Sequence, residues 1–527
     1  MNTTIHRRVC VALAGFAAAA VAGCAVGPNF HKPQAPPNAG YTTAPLPSAT
    51  SSANTPGGES QRFEMGQDVP FKWWEAFGSP AINSLVERAF RANPTVRAAQ
   101  AALRQAQELV YAQEGYFFPS VSADYNFERQ KLAGNLSGSS APGVQGNGSA
   151  ITAVQQSTPP YNEPLYYNFH TAQLTVGFIP DVFGANRRKV ESLDAQAQTQ
   201  RFELEATYVS LASNVVAAAI QEASMRAQLK AAQEIIGRNE KSLQILRDKF
   251  DSGYATRIDV ALQEQQLAQA RALLPPLEKQ FEQNRDLIRA LAGNLPDQDV
   301  VETFDLASLQ LPSPLPVSLP SKVIEQRPDI RAAEEQLRAA NAQVGVAVAA
   351  MLPQFTITGA AGGTATQFAQ MFRRGGPFWS LIGDVSQPVF AGGTLWHTKR
   401  AADEALRQAA AQYQTTVLQA YQNVADTLHA MLSDADALAT AAESERAAKV
   451  ALDLTQQRMQ SGYSDYLTEL AAEMAYLQAV LSRVQAQATR LGDTAALYQA
   501  LGGGWWNRHA ALAPGGNRGD PSVVAVN

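Results

Sequence analysis

A mainly α-helical chain with a transmembrane β portion, folded as two tandem structural repeats, is the architecture this sequence predicts. The first observation behind it is internal duplication. Asn93-Pro94-Thr95-Val96-Arg97-Ala98-Ala99 returns as Arg327-Pro328-Asp329-Ile330-Arg331-Ala332-Ala333, 234 positions on, and Pro119 returns as Pro353. Ser213-Asn214-Val215 reappears as Gln422-Asn423-Val424, Ser252-Gly253-Tyr254 as Ser461-Gly462-Tyr463, and Gly293 as Gly502, all at an offset of 209. Repetition at this length means two copies of one supersecondary unit, with a deletion in the second copy between Pro353 and Asn423. The second observation is a pair of very long stretches almost free of Gly and Pro. The third is a set of short stretches in which apolar and polar residues alternate.

The elements follow in chain order. His6-Arg7-Arg8 is basic, Val9 to Ala20 is apolar, and small residues lead into Cys24. Residues 1–23 read as a secretory signal, to be set aside before fold reasoning. The apolar run is shorter than the roughly 20 residues of a transmembrane helix. Val21-Ala22-Gly23-Cys24 resembles the bacterial lipobox, which implies cleavage before Cys24 and lipid on its sulfur and amine. Ala25 follows where an Asp would hold such a protein at the inner membrane, so the outer membrane is the expected destination. An ordinary signal peptide that happens to contain a cysteine is the alternative. Without the signal, 40 basic residues face 47 acidic ones, a net charge of −7. No basic stripe with interleaved aromatics suggests nucleic acid. Cys10 leaves with the signal and Cys24 is the lipidation candidate, so no thiol remains for a disulfide or metal site.

Residues 24–70 read as a lipid-anchored, extended tether or wrapping segment, because Pro, Ser, Thr and Gly dominate and cannot bury a core. Order is expected from Phe71-Lys72-Trp73-Trp74. The first repeat then spans 71–311 and the second 312–506, with a flexible tail at 507–527.

In the first repeat a helix is expected from Thr95 to Gly115. Ser120 to Glu128 alternates with period 2: Val121, Ala123, Tyr125 and Phe127 on one face, Ser122, Asp124, Asn126 and Glu128 on the other. A second strand runs from Asn168 to Ile179, with Ala172, Leu174, Val176 and Phe178 opposite Thr171, Gln173, Thr175 and Gly177. In the second repeat Phe355 and Ile357 alternate with Gln354, Thr356 and Thr358, and Trp379, Leu381 and Val385 with Ser380, Asp384 and Ser386. Strands of about 9–12 residues suit tilted membrane crossing, apolar faces to lipid and polar faces to water. A soluble sheet packed on helices is the alternative. Four strands cannot close a membrane barrel, and an open edge in lipid leaves backbone groups unsatisfied. A dimer supplies 8 strands and a trimer 12. Since 8-stranded barrels fill with side chains, a conduit requires at least the trimer.

The long helices are expected from Ala185 to Asp251 and from Thr394 to Ser461, each near 67 residues, or about 100 Å. Shorter ones are expected at Arg257–Ala292, Ile330–Met351 and Tyr466–Ala500. Pro275-Pro276 should kink or interrupt the first of these. Ala and Gln at this density permit close helix approach with wet polar faces; a solid bundle would want more Leu, Ile and Phe. An Ala-rich periplasmic coiled coil would look similar but leaves the strands unexplained.

Cys24-Ala25-Val26-Gly27-Pro28, Trp73-Trp74-Glu75-Ala76-Phe77-Gly78, Arg327-Pro328-Asp329-Ile330-Arg331 and Tyr498-Gln499-Ala500-Leu501-Gly502-Gly503-Gly504-Trp505 together resemble the outer membrane factors (TolC-like) of tripartite efflux systems, in their lipoprotein (NodT-like) branch. The resemblance implies a homotrimer with a 12-stranded β-barrel in the outer membrane, continuing into a long periplasmic α-helical barrel. It also implies partners: a periplasmic adaptor (membrane fusion) protein and an inner-membrane efflux pump. The implied role is a passive exit duct for small molecules. Alternatives are a duct for type I protein secretion or a lipid-anchored structural coiled coil.

The hairpin tips are the candidate adaptor contacts: Gly253 and Tyr254 in the first repeat, Gly462 and Tyr463 in the second. Gly suits the left-handed position that ends a helix. Beyond the second tip, Asp465, Glu469 and Glu473 stand four apart, on one stripe of a helix. In a trimer each becomes a ring of three like charges, favouring cations and opposing closure; a solvated helix face is the plainer reading. In the resembled family a gating Asp follows the Leu of Tyr-Leu-Thr by four residues. Tyr466-Leu467-Thr468 fits, but Ala471 takes the Asp position. Leu467 remains a candidate apolar constriction. In the first repeat Asp259 and Glu264 are the nearest acids, and Glu264 corresponds to Glu473. The six His are scattered, and no P-loop, nucleophile elbow or dinucleotide fingerprint appears. No enzyme, metal or cofactor is expected.

Overall fold

The computed structural model describes residues 25–34, 40–132, 145–146, 149–150, 165–461 and 466–508. The chain is mainly helical. In order it forms β1 (Phe63–Met65), α1 (Pro80–Ala92), α2 (Pro94–Glu114), β2 (Ser120–Leu132), β3 (Leu165–Phe178), α3 (Ala185–Asp251), α4 (Arg257–Ala272), α5 (Leu274–Leu291), β4 (Leu315–Val317), α6 (Pro320–Gln326), α7 (Pro328–Ala349), β5 (Gln354–Ala365), β6 (Pro377–Ser386), α8 (Thr394–Gln460) and α9 (Tyr466–Ala500).

The chain divides into two compact units. One comprises residues 1–31, 105–197 and 335–410, and its centre is a four-stranded sheet of order β2-β3-β5-β6, antiparallel throughout. The register keeps like with like. Val121 lies opposite Val176, Ala123 opposite Leu174, and Tyr125 opposite Ala172. On the other face Ser122 meets Thr175, Asp124 meets Gln173, and Thr356 meets Asp384. A one-residue slip would exchange the two faces, so the alternating pattern fixes the pairing. Strands β2 and β3 are longer than their alternation alone predicts.

The other unit comprises residues 32–104, 198–334 and 411–527. Its core gathers Trp73, Trp74 and Phe77, the inner face of α1, the middle stretches of α3 and α8, and the C-terminal half of α9. Trp73 stacks on Tyr498 at 5.2 Å. Helix α1 starts on a proper cap: Ser79 Oγ accepts from the Ile82 amide and Pro80 takes the first helical position. It buries Ile82, Leu85, Val86 and Ala89. Periodicity alone had not marked this short helix.

The proline pair acts as expected. Helix α4 ends at Ala272 and α5 begins at Leu274 with the prolines in its first turn, where a missing N–H costs nothing. Order begins earlier than Phe71. Strand β1 pairs in parallel with β4, and Thr50 and Gln61 are buried. Part of the cause is polar: Arg490 of α9, fully buried, donates to the Gly57 and Glu59 carbonyls and to Thr50 Oγ1 at 2.8–3.1 Å. Gln61 Nε2 donates to Pro312 O and Thr494 Oγ1, both at 3.1 Å. A segment rich in polar residues is thus held by a strand pairing, by Val69, Phe63 and Tyr41 on the core, and by the buried Arg490 and Gln61.

Candidate functional site

The first hairpin tip is built by local rules. At the end of α3 the Gly253 amide donates to Phe250 O and the Tyr254 amide to Lys249 O. This is the paired pattern of a Schellman motif, and Gly253 supplies its left-handed residue with φ +78°. Tyr254 projects beyond it, 86% exposed. Thr256 then caps α4 through a capping box with Asp259, whose carboxylate accepts from both the Thr256 amide and hydroxyl. Those bonds hold the Asp259 carboxyl below its usual range. Glu264 accepts from Arg247 Nη2 at 2.8 Å across the hairpin, which likewise lowers its carboxyl. Gly462, Tyr463 and Asp465 lie outside the described residues. Leu467 falls in the first turn of α9.

Glu469 and Glu473 sit differently from Asp259 and Glu264. Burial pushes the Glu473 carboxyl up to about 7, the Glu469 charge adds to the rise, and Arg238 of α3 opposes it. Burial also raises Glu469, against a hydrogen bond from Gln456 of α8 and the charge of Lys249 of α3. Glu469 and Glu473 are therefore packed among helices, with Glu473 only 4% exposed. The contrast between Glu264 and Glu473 comes first from burial, and the repeat shows a second source. Arg247, the partner of Glu264, corresponds at the same 209 offset to Gln456, so the second copy has lost the cation.

The sheet leaves its apolar face uncovered. Val121 is 67% exposed, Trp379 80% and Leu381 70%. Tyr125, Phe127, Leu174 and Val385 are also exposed. Patches of this kind on a folded chain mark a partner or a membrane. Strands β2 and β6 form the two edges, and edges left unpaired are templates for further strands.

The amino-terminal end of the described chain is clamped. Cys24 lies outside the described residues, but Ala25 packs on Gly184, where an added Cβ would meet Ala25 Cα at 2.6 Å. The Val26 amide donates to Phe183 O, while the buried Arg188 donates to Val26 O, Gly27 O and Asn29 Oδ1. Gly27 and Gly345 approach so closely that a Cβ on Gly27 would lie 2.5 Å from Gly345 Cα.

Three groups escaped sequence reasoning: Arg188, Arg490 and the pair Asp434–Asp493. Asp434 hydrogen-bonds Asp493; burial first, then that bond, pushes it up to about 7, with Arg490 opposing. Arginines and aspartates on Ala/Gln-rich helices read as solvated faces.

Comparison with known proteins agrees with this geometry. The profile of the family described as outer membrane efflux protein matches residues 85–294 and 319–503. The pyoverdine export outer membrane protein OpmQ of Pseudomonas putida is 27% identical over 464 residues, covering 88% of this chain and 94% of that protein. The toluene efflux pump outer membrane protein TtgC of Pseudomonas putida is 26% identical over 493 residues, covering 92% and 94%. Among solved structures, the outer-membrane channel OprN superposes with a TM-score of 0.77 at 27% identity, over 92% of this chain and 100% of that one. The Campylobacter jejuni CmeC channel shares the fold, with a TM-score of 0.78 at 21% identity over 91% and 95%. With both long helical stretches inside the matched segments, the chain belongs to the outer membrane efflux protein family.

Proposed function

We propose that this chain is the outer membrane exit duct of a tripartite efflux pump. Three copies join β2 of one to β6 of the next, closing a 12-stranded transmembrane barrel. The observation that carries this reading is the four-stranded sheet with two edges and an exposed apolar face. In lipid, closure is what satisfies edge backbone groups. The long helices of two tandem repeats form the periplasmic barrel; the two family matches and the equal lengths of α3 and α8, 67 residues each, support the repeat.

The remaining assignments follow from this. Residues 1–23 are a lipoprotein signal and Cys24 carries the lipid. Residues 24–70 form the segment between the lipid and the first repeat at 71–311, with the second at 312–506 and a tail at 507–527. The duct is passive and carries out no reaction. The inner-membrane pump supplies energy, and a periplasmic adaptor docks on the tips at Gly253, Tyr254, Gly462 and Tyr463. Leu467, Asp465, Glu469 and Glu473, with Asp259 and Glu264, form the periplasmic constriction. Cargo is small molecules, as the names of OpmQ and TtgC indicate for those relatives.

The test is the native mass of the mature protein in detergent, followed by bilayer conductance. A trimer that conducts is expected. A monomer or dimer leaves four or eight strands and no aqueous path, and would sink the proposal.

A further inference from the structure

We propose that a cleft at the base of the sheet seats an acyl chain carried by Cys24. The inference rests on the lipoprotein reading above and gives that lipid a defined place. The cleft, of about 760 Å³, lies where the ends of α2 and α7, the starts of β2 and β5, and the β3–α3 connection converge. Phe118, Phe178, Ile179, Val182 and Phe355 line it. Phe118 is 72% exposed and Ile179 57%, so the cleft holds apolar surface that the described residues leave uncovered. Pockets of roughly 300–1,000 Å³ with mainly apolar walls are the size that takes a hydrophobic ligand.

The occupant is identified by where the described chain begins. Ala25 rests on Gly184, whose neighbours Phe183 and Ala185 both line the cleft. Cys24 is one residue upstream, about 3.8 Å from Cα to Cα, so a lipid on its sulfur starts beside this wall. The attachment point is fixed by the buried Arg188 and by the close approach of Gly27 to Gly345. A lipid that only held the protein to a bilayer would work from a slack tether and need no such clamp. A free phospholipid could present the same chemistry, but a chain bonded at the mouth of the cleft has the advantage of effective concentration.

The experiment uses the full-length protein processed from its own signal. The mass of the amino-terminal peptide is read first, and an unacylated Cys24 defeats the lipoprotein reading together with this inference. With acylation established, a photoreactive benzoylphenylalanine is placed at Phe355, in the cleft, and separately at Trp379, on the exposed sheet face. An adduct between the Phe355 position and the acylated amino-terminal peptide is expected. Adducts formed only from the Trp379 position, or a free phospholipid captured at Phe355, would overturn the inference while leaving lipidation intact. Should the Phe355 replacement fail to fold, hydrogen exchange compares the acylated protein with Cys24→Ala exported from a non-lipoprotein signal. Slower exchange at residues 112–119 and 177–186 in the acylated form is expected, and equal exchange overturns the inference.

Discussion

At the scale of single residues, Glu473 and Asp434 are the groups whose chemistry the fold changes most. Both carboxyls are raised to about 7 in the folded chain, so the native state holds protons that the unfolded state releases from the ordinary carboxylate range upward. The stability they lend is complete below that range and is lost as pH rises toward about 7. Glu473→Gln should therefore raise stability at pH 8 by about 1–2 kcal/mol and change it little at pH 5. Thermal midpoints in detergent at the two values check this, and an equal shift at both would refute it. A cation introduced by Gln456→Arg, beside Glu469, should bring Glu469 back toward its usual range and weaken the pH dependence of the pair. Arg490 is the opposite kind of residue, a buried cation whose partners are mostly backbone carbonyls. Arg490→Ala leaves those carbonyls unpaired and should cost about 2–4 kcal/mol, with faster proteolysis around residues 50–61 as the readout. The pairing of Glu264 with Glu473 was legible in the sequence from the repeat. Their different environments were not, because burial among helices and the exchange of Arg247 for Gln456 leave no local pattern.

At the scale of elements, composition and period carried most of the information. The bounds of α3 and α9 match the expected ones, and those of α2 and α7 differ by a residue or two. Long Pro-free runs of good helix formers carry the helix across a single internal Gly such as Gly237 or Gly492, whereas the break at Leu273 follows from two prolines that cannot enter a helix interior. Unmarked in the sequence were strands of three residues and a helix of seven, too short for periodicity to rise above chance, and also α1, whose Ile82, Leu85, Val86 and Ala89 do carry a helical period. Gly253 tests the tip. Its φ is +78° and nothing lies within 4 Å of an added Cβ, so Gly253→Ala should cost about 1 kcal/mol through the backbone alone. A much larger loss would mean that the tip is packed in the assembled protein. For the sheet, Leu381→Arg puts a charge on the exposed apolar face. If that face meets lipid, insertion should weaken by about 2–4 kcal/mol near the midplane, read as loss of trimer from the outer membrane fraction. The matched change at Ser380, on the opposite face, should be tolerated.

At the scale of the whole molecule, the expectation of a membrane β portion came from four alternating stretches, and its oligomeric consequence from arithmetic on strands. One residue type on each face is a statement the sequence can make by itself. The amino-terminal clamp and the strap held by Arg490 are non-local. Gly27 meets Gly345, and Gly57 and Glu59 meet Arg490, across hundreds of residues. No motif announces such encounters, since each partner satisfies local rules without the other.

That separation sets an order of events during synthesis. The residues from Thr50 to Gln61 precede most of the chain, and two of the groups that bind them, Arg490 and Thr494, lie far downstream on α9. Contacts this distant in sequence form slowly, because the loop between them must close first. The strap can pair with β4 and Pro312 once these are present, but the stretch from Thr50 to Glu59 stays open until α9 arrives to bind it. Truncations that remove α9 should leave that stretch protease-sensitive throughout, and its protection becomes a timer for the end of folding.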